Sequence, residues 1–417
     1  MTYHNAIKFI KSAPPLPPKK ESGADRINKL LEAIGNPQKK IKYIRLAGSN
    51  GKTLCARMMI SILKKAKIKS GCLSMPIYDE IRDNIRIEGK PISMESTVFY
   101  AEQVYQAVST VSSAENGFTP TCNEIMLCMA LLAFADNKCA LCMIESDHNG
   151  EDPSRFLPPP IAAVICGKIP KSDKKEVSKI RSYITRGIQE LVSVPQDQES
   201  FKILSDTCFE ANCRLTIPSM NSFEITRLTL RGSEFVFDEN AYSIRLCGKF
   251  QTANAVLSIE TAEMLTRLGY EISRQHIKDG LATVTAPCKF EILSLSPTII
   301  ADSTHSPVAI GAVCDSLADF KEMLGSKIRL CLPVGELVPH YIDTLEERGY
   351  DIEKISVLNE EAKAVEDYGR PVNVHKTLKL TIKDALANLD SDITLLISGP
   401  SNFTRRLRYE LLATLGF

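Results

Sequence analysis

The sequence predicts an α/β protein, with a P-loop-type, mostly parallel sheet in an N-terminal domain and a smaller Rossmann-like α/β domain at the C-terminus. Three observations predict it. An apolar run at 43–47 passes through Gly48-Ser49-Asn50-Gly51-Lys52-Thr53 into a helical pattern, with Cys55, Met59, Ile62 and Ala66 at three- and four-residue steps. Strand and helix patterns then alternate, as in chains that build parallel sheets. The alternation stops after a long amphipathic stretch at 251–268 and restarts at 298. At 417 residues the chain also exceeds what one core usually serves. Two domains are therefore expected, 1–288 and 289–417, joined near Ala286-Pro287-Cys288-Lys289.

In chain order, residues 3–12 read as a helix, stopped by Ala13-Pro14-Pro15-Leu16-Pro17-Pro18, a stiff loop before the first strand. Residues 25–34 form a second helix, closed by Gly35-Asn36-Pro37. After the glycine turn and its helix come a strand at 71–74, a polar loop over 75–93, and helices at 96–111 and 123–135. Residues 139–145 are an almost continuous apolar strand, and 161–166 another. Residues 190–246 change character to short alternating strands, such as 223–231 and 234–237, which suggests a small antiparallel flap in the first domain. The helix at 251–268 precedes one capped by Ser273 and running to 281. The second domain then reads as strand 298–301, helix 308–324, strands 328–334, 355–358 and 393–397, and helix 401–415.

Composition narrows the function classes. Apolar residues make up 44% and charged residues 24%, as in ordinary globular proteins. With 51 basic and 50 acidic residues, bulk charge favours neither nucleic acid nor an anionic membrane. The longest apolar run, 125–135, is too short to span a bilayer, and residues 1–14 lack a signal-peptide pattern. The 13 cysteines are scattered; Cys139-x-x-Cys142 has zinc-like spacing but no matching second pair. Reduced core thiols and a cytoplasmic location are expected.

The turn carries the chemistry. Glycines let backbone pass close to a polyphosphate, and the following helix turns unpaired N–H groups and its positive dipole end toward it. Lys52 adds a full charge, and Thr53 offers a hydroxyl to a phosphate-bound magnesium ion. Leu46 stands where the common P-loop has glycine, so this is a variant. Glu145 ends its strand at the sheet edge where open α/β folds bind ligands.

Several strings, in order, resemble the folylpolyglutamate synthase/dihydrofolate synthase family of the Mur-ligase superfamily. They start with Arg26-Ile27-x-x-Leu30-Leu31-Glu32-x-Ile34-Gly35-Asn36-Pro37-Gln38 and Ala47-Gly48-Ser49-Asn50-Gly51-Lys52. The string at 85–93 follows, then Phe118-Thr119-Pro120 with Glu124, and Ile144-Glu145. Last come Gly248-x-Phe250-Gln251-x-x-Asn254-Ala255, Ala286-Pro287-Cys288-Lys289-Phe290-Glu291 and Asp302-Ser303-Thr304-His305-Ser306-Pro307. The resemblance implies an ATP- and Mg2+-dependent amide ligase that adds L-glutamate to a tetrahydrofolate carboxylate through an acyl phosphate. It implies two Mur-ligase-like domains, small-molecule substrates (a folate-like acid and glutamate) and a monomer. Lys52, Glu145 and His305 would be catalytic. Gly48, Ser49, Asn50, Gly51, Lys52 and Thr53 would hold the phosphates, Asn254 would meet adenine, Lys289 the phosphates, and Asp302 with His305 would complete the site from the second domain. Thr53 and Glu145 would hold the metal.

Departures cluster around the metal and the chemistry. Met75 replaces a ligand serine, and the histidine that follows it in the family is missing. The stretch 146–152 replaces a glycine-rich segment, which leaves Asp147 and His148 as substitute ligands. No histidine occurs in 166–170, Arg181 aligns with a lysine that is carbamylated in the family, Lys289 replaces an arginine and Ser306 an asparagine. Three readings stay open: a folate-family ligase, a ligase of the same architecture for another acid and amine, and a catalytically impaired nucleotide-binding homologue.

Overall fold

The computed structural model describes residues 1–16, 23–48, 50–114, 118–146, 152–169, 174–184, 187–304, 306–361 and 367–415. Contacts divide the chain into two compact units that are not two linear halves. The first is Met1–Asn221 with Asn254–Leu281, and the second is Ser222–Ala253 with Ala282–Phe417.

The first unit holds an eight-stranded sheet. Its strands are β1 (Tyr43–Ala47), β2 (Ser70–Leu73), β3 (Ile85–Ile87), β4 (Lys90–Pro91), β5 (Leu141–Glu145), β6 (Ala162–Ile165), β7 (Glu190–Ser193) and β8 (Arg214–Thr216). The spatial order is β4-β3-β2-β5-β1-β6-β7-β8. β1 is buried along its whole length and pairs in parallel with β5 and β6, which is why its sequence is a continuous apolar run broken only by Arg45. Leu46 lies opposite Glu145, so the turn after β1 and the acid ending β5 reach the same sheet edge.

Two expectations are corrected here. The polar loop at 75–93 contains an edge hairpin, with β3 antiparallel to both β2 and β4. Glu88 and Gly89 both take positive φ (51° and 81°), the conformation of a two-residue hairpin turn. Residues 190–216 do not belong to a flap. They extend the parallel sheet through β7 and β8, with the helix Gln198–Ala211 between them.

One sheet face is covered by the helices Tyr3–Ser12, Gly23–Ala33, Met94–Ala114 and Cys122–Asp136, packed around Tyr43, Cys142 and Ile144. Cys122–Asp136 is apolar nearly all round and correspondingly buried. A capping box starts it: Thr121 accepts from the Glu124 N–H and Glu124 from the Thr121 N–H. Arg26 pairs with the Glu124 carboxylate at 2.9 and 3.1 Å, so the buried acid is neutralised.

The second unit carries a three-stranded antiparallel sheet, β9 (Phe223–Thr229), β10 (Gly232–Phe237) and β11 (Asn240–Ile244). It also has a six-stranded sheet of β12 (Glu291–Leu295), β13 (Thr298–Ser303), β14 (Lys327–Pro333), β15 (Asp351–Leu358), β16 (Asn373–His375) and β17 (Ile393–Gly399). The order is β12-β13-β17-β14-β15-β16, parallel except for β12. Near its β16 edge, Asp384 accepts from Ser356 at 2.7 Å and Asn373 at 3.1 Å, with His375 Nε2 at 3.2 Å. None of the 13 cysteines forms a disulfide. Among the described residues, no helix is long and apolar enough to cross a membrane.

Candidate active site

The first unit builds its site at the carboxyl ends of β1, β5 and β6. Gly48 (φ 111°) and Gly51 (φ 84°) both take conformations that side chains resist. Space demands glycine as well. A methyl at Gly48 would lie 2.8 Å from the Gly167 nitrogen, and one at Gly51 would lie 2.7 Å from Asn254 Oδ1 and 2.9 Å from the Cys166 carbonyl. Cys166-Gly167, which follows β6, and Asn254, in the helix Lys249–Arg267, therefore press directly on the turn.

Lys52 opens the helix Lys52–Lys65, and its buried ammonium donates to the Gly48 carbonyl at 2.6 Å. Thr53 Oγ1 donates to Glu145 Oε2 at 2.9 Å. Glu145 is almost wholly buried, and burial pushes its carboxyl above the ordinary glutamate range. The Lys52 charge, the hydroxyls of Ser74 and Thr53 and the Met75 N–H pull it back only in part. Thr53 meets Oε2 in hydrogen-bonding geometry, whereas Ser74 and the Met75 N–H act on the charge from nearby and leave Oε1 buried without a hydrogen bond. A buried carboxylate oxygen with no partner, beside a threonine hydroxyl and a phosphate-type turn, fits a magnesium ligand set of one carboxylate completed by water and phosphate.

The structure thus brings together Gly48, Gly51, Lys52, Thr53, Glu145 and Asn254 within the first unit, with Asn50 half-buried in the turn itself. Ser49, Asp147, His148 and His305 lie outside the described residues. Met75 is buried and offers no side-chain oxygen. Sequence reasoning missed Ser74, whose hydroxyl acts on Glu145. The signal was register: Leu73 pairs with Ile144, so the next residue after β2 neighbours Glu145. Arg181 is exposed in the last turn of the helix Lys174–Tyr183.

In the second unit, Lys289 is half-buried, with Nζ 3.3 Å from the Ser303 carbonyl. Asp302 is buried; its Oδ2 accepts from the Phe290 N–H at 2.7 Å and its Oδ1 from the Thr304 hydroxyl. Burial raises its carboxyl above the usual range, against the Lys289 charge and those two donors. The Asp302 carboxylate is therefore engaged inside its own unit.

Two α/β units, with a glycine-lysine-threonine turn facing a strand-end glutamate in the first, make up the described fold. The solved structures agree on the fold. The apo form of the Lactobacillus casei enzyme, L. casei FPGS, superposes with TM-score 0.82 at 20% identity, over 99% of this chain and 100% of that one. Folylpolyglutamate synthase from Thermotoga maritima gives 0.81 at 20%, over 100% and 97%. No family model matches the chain. Among curated proteins, it is 23% identical over 427 residues to the probable bifunctional folylpolyglutamate synthase/dihydropteroate synthase of Halobacterium salinarum, covering 96% of this chain and 50% of that protein. It is 26% identical over 332 residues to the dihydrofolate synthase/folylpolyglutamate synthase of Mycobacterium tuberculosis, covering 72% and 68%. The chain spans half the length of the first of these and 39% of a Haloferax volcanii counterpart. In sequence the chain is similar to folylpolyglutamate and dihydrofolate synthases, and in fold to solved folylpolyglutamate synthase structures.

Proposed function

We propose that the chain is an ATP-dependent amide ligase that joins L-glutamate to a tetrahydrofolate carboxylate. The observation that carries this reading is the pairing of Thr53 with buried Glu145 beside Lys52 and the glycine turn. Relatives support it: one solved structure is an FPGS–AMPPCP–folate complex and another is M. tuberculosis folylpolyglutamate synthase complexed with ADP. In the reaction, a carboxylate oxygen attacks the γ-phosphorus, the bond to ADP breaks, and an acyl phosphate forms. The glutamate amine then adds to the acyl carbon, loses a proton, and phosphate leaves from the tetrahedral intermediate.

Lys52 and the N–H groups of the turn neutralise phosphate oxygens as charge shifts toward ADP. Bound magnesium would add Lewis-acid neutralisation of the same phosphates, held by Thr53 and Glu145. Asn254 contacts adenine and Lys289 a phosphate, with Asp302 and His305 as the further residues proposed for the reaction. The partners are small molecules, and the protein works as a cytoplasmic monomer. A second reading, nucleotide binding without ligation, is favoured by Met75 and Arg181, which remove a ligand hydroxyl and a carbamylation site.

ADP release measured with ATP, tetrahydrofolate and glutamate, and with each omitted, separates the two. Turnover requiring both substrates supports the ligase, whereas nucleotide binding with no turnover supports the second reading. Lys52→Ala should weaken ATP binding by about 10- to 100-fold, the loss expected of a charged hydrogen bond. Unchanged affinity by calorimetry makes the turn purely structural.

A further inference from the structure

The loop 286–291 holds its backbone in an unusual way. Cys288 (φ 58°) and Phe290 (φ 52°), on either side of Lys289, are both left-handed although neither is glycine. A side chain makes that conformation costly, so the surroundings must impose the shape. Four hydrogen bonds do so. The Cys288 N–H donates to Glu291 Oε2 at 2.9 Å, and the Ser303 N–H to the Cys288 carbonyl at 2.7 Å. The Phe290 N–H donates to Asp302 Oδ2 at 2.7 Å, and Gln251 Nε2 to the Lys289 carbonyl at 2.9 Å.

These clamps are themselves fixed. Arg408 grips Glu291 through two bonds of 2.7 and 2.8 Å. The Phe290 ring is buried, stacked on Phe320 at 6.2 Å between centroids. Gln251 is fully buried and its Oε1 makes no hydrogen bond, so its amide serves the loop through the N–H alone. Keeping a buried amide half-satisfied is costly, which marks the contact to Lys289 as the reason for a polar residue here.

We infer that Gln251 and Asp302 are positioning residues, which hold a strained loop so that Lys289 presents its ammonium to a nucleotide phosphate from a pre-set backbone. The inference rests on the proposed role of Lys289 in ATP binding. It gives Asp302 a structural duty that the motif alone did not suggest. Pre-setting the backbone removes the ordering cost that a flexible lysine loop would meet on binding.

The test uses the full-length chain and a non-hydrolysable ATP analogue, followed by calorimetry. Gln251→Leu should weaken binding about tenfold, the worth of one buried hydrogen bond. In a Lys289→Ala background the same substitution should cost nothing further, because the two act as one unit. Full additivity, or wild-type affinity in Gln251→Leu or Lys289→Ala, overturns the inference. Should Gln251→Leu fail to fold, amide exchange on the wild-type chain decides. Strong protection of the Phe290 N–H supports the clamp, and exchange at the rate of an open loop overturns it. Turnover in the wild type together with an unaffected Lys289→Ala sinks this inference and leaves the ligase reading intact. Absent turnover with the predicted coupling does the reverse.

Discussion

The glycine turn of the first unit and the Lys289 loop of the second meet the same backbone demand in opposite ways. Gly48 and Gly51 reach positive φ because they carry no side chain, and neighbouring backbone fills the space a side chain would need. Cys288 and Phe290 reach it with full, buried side chains, held there by Glu291, Asp302 and the ring of Phe320. A bare turn can lie against a ligand along its whole length. A clamped loop instead spends side chains on its own shape and leaves Lys289 half-buried, its ammonium on the Ser303 carbonyl. Positive φ alone therefore does not tell a binding surface from a mount; what fills the surrounding space does.

The contrast breaks most readily at Gly48. Gly48→Ala should destabilise the protein by about 1–3 kcal/mol through strain alone, and by more through the clash with Gly167. Chemical denaturation that finds less than about 0.5 kcal/mol, the scatter of surface substitutions, shows the turn free to relax. Glu145 gives the next effect. Its carboxyl is raised, so between the ordinary value of 4.5 and the raised one the native state keeps a proton that the unfolded chain has released. Stability should fall as pH rises through that window, and Glu145→Gln should remove the slope while abolishing magnesium-dependent turnover. A pH–stability curve identical in the variant refutes this.

Asp384 supplies the smallest effect and the opposite sign. Burial alone would raise it, yet Ser356, Asn373, His375 and Lys354 bring it down from 3.8 to about 2. The stability it contributes is present above 3.8 and lost as pH falls toward about 2. Solvent screening limits it to about 1 kcal/mol, so Asp384→Asn should flatten the acid limb only slightly. An acid limb as steep as that of the wild type counts against the network.

Much of this was legible in the sequence. The run 43–47, the turn and Glu145 stood out because period, glycine placement and strand-end position are local signals. Other parts were hidden. β7 and β8 have only four and three residues, too short to show a period, so the sequence predicts a flap where the sheet in fact extends. The helix Leu337–Glu347 carries Pro339 in its first turn, where proline is tolerated but masks the pattern. Ser74 and Asp302 acquire their roles from neighbours that only register and folding supply, Glu145 across the sheet and Phe290 twelve residues back.

The bond from Thr53 to Glu145 has one more consequence. A hydroxyl owns a single proton, and here that proton points at the carboxylate. What remains on Thr53 is a pair of lone pairs, so the oxygen greets an approaching species only as an acceptor. A cation is welcomed there and an anion rebuffed, and valine, equal in shape, would erase that polarity.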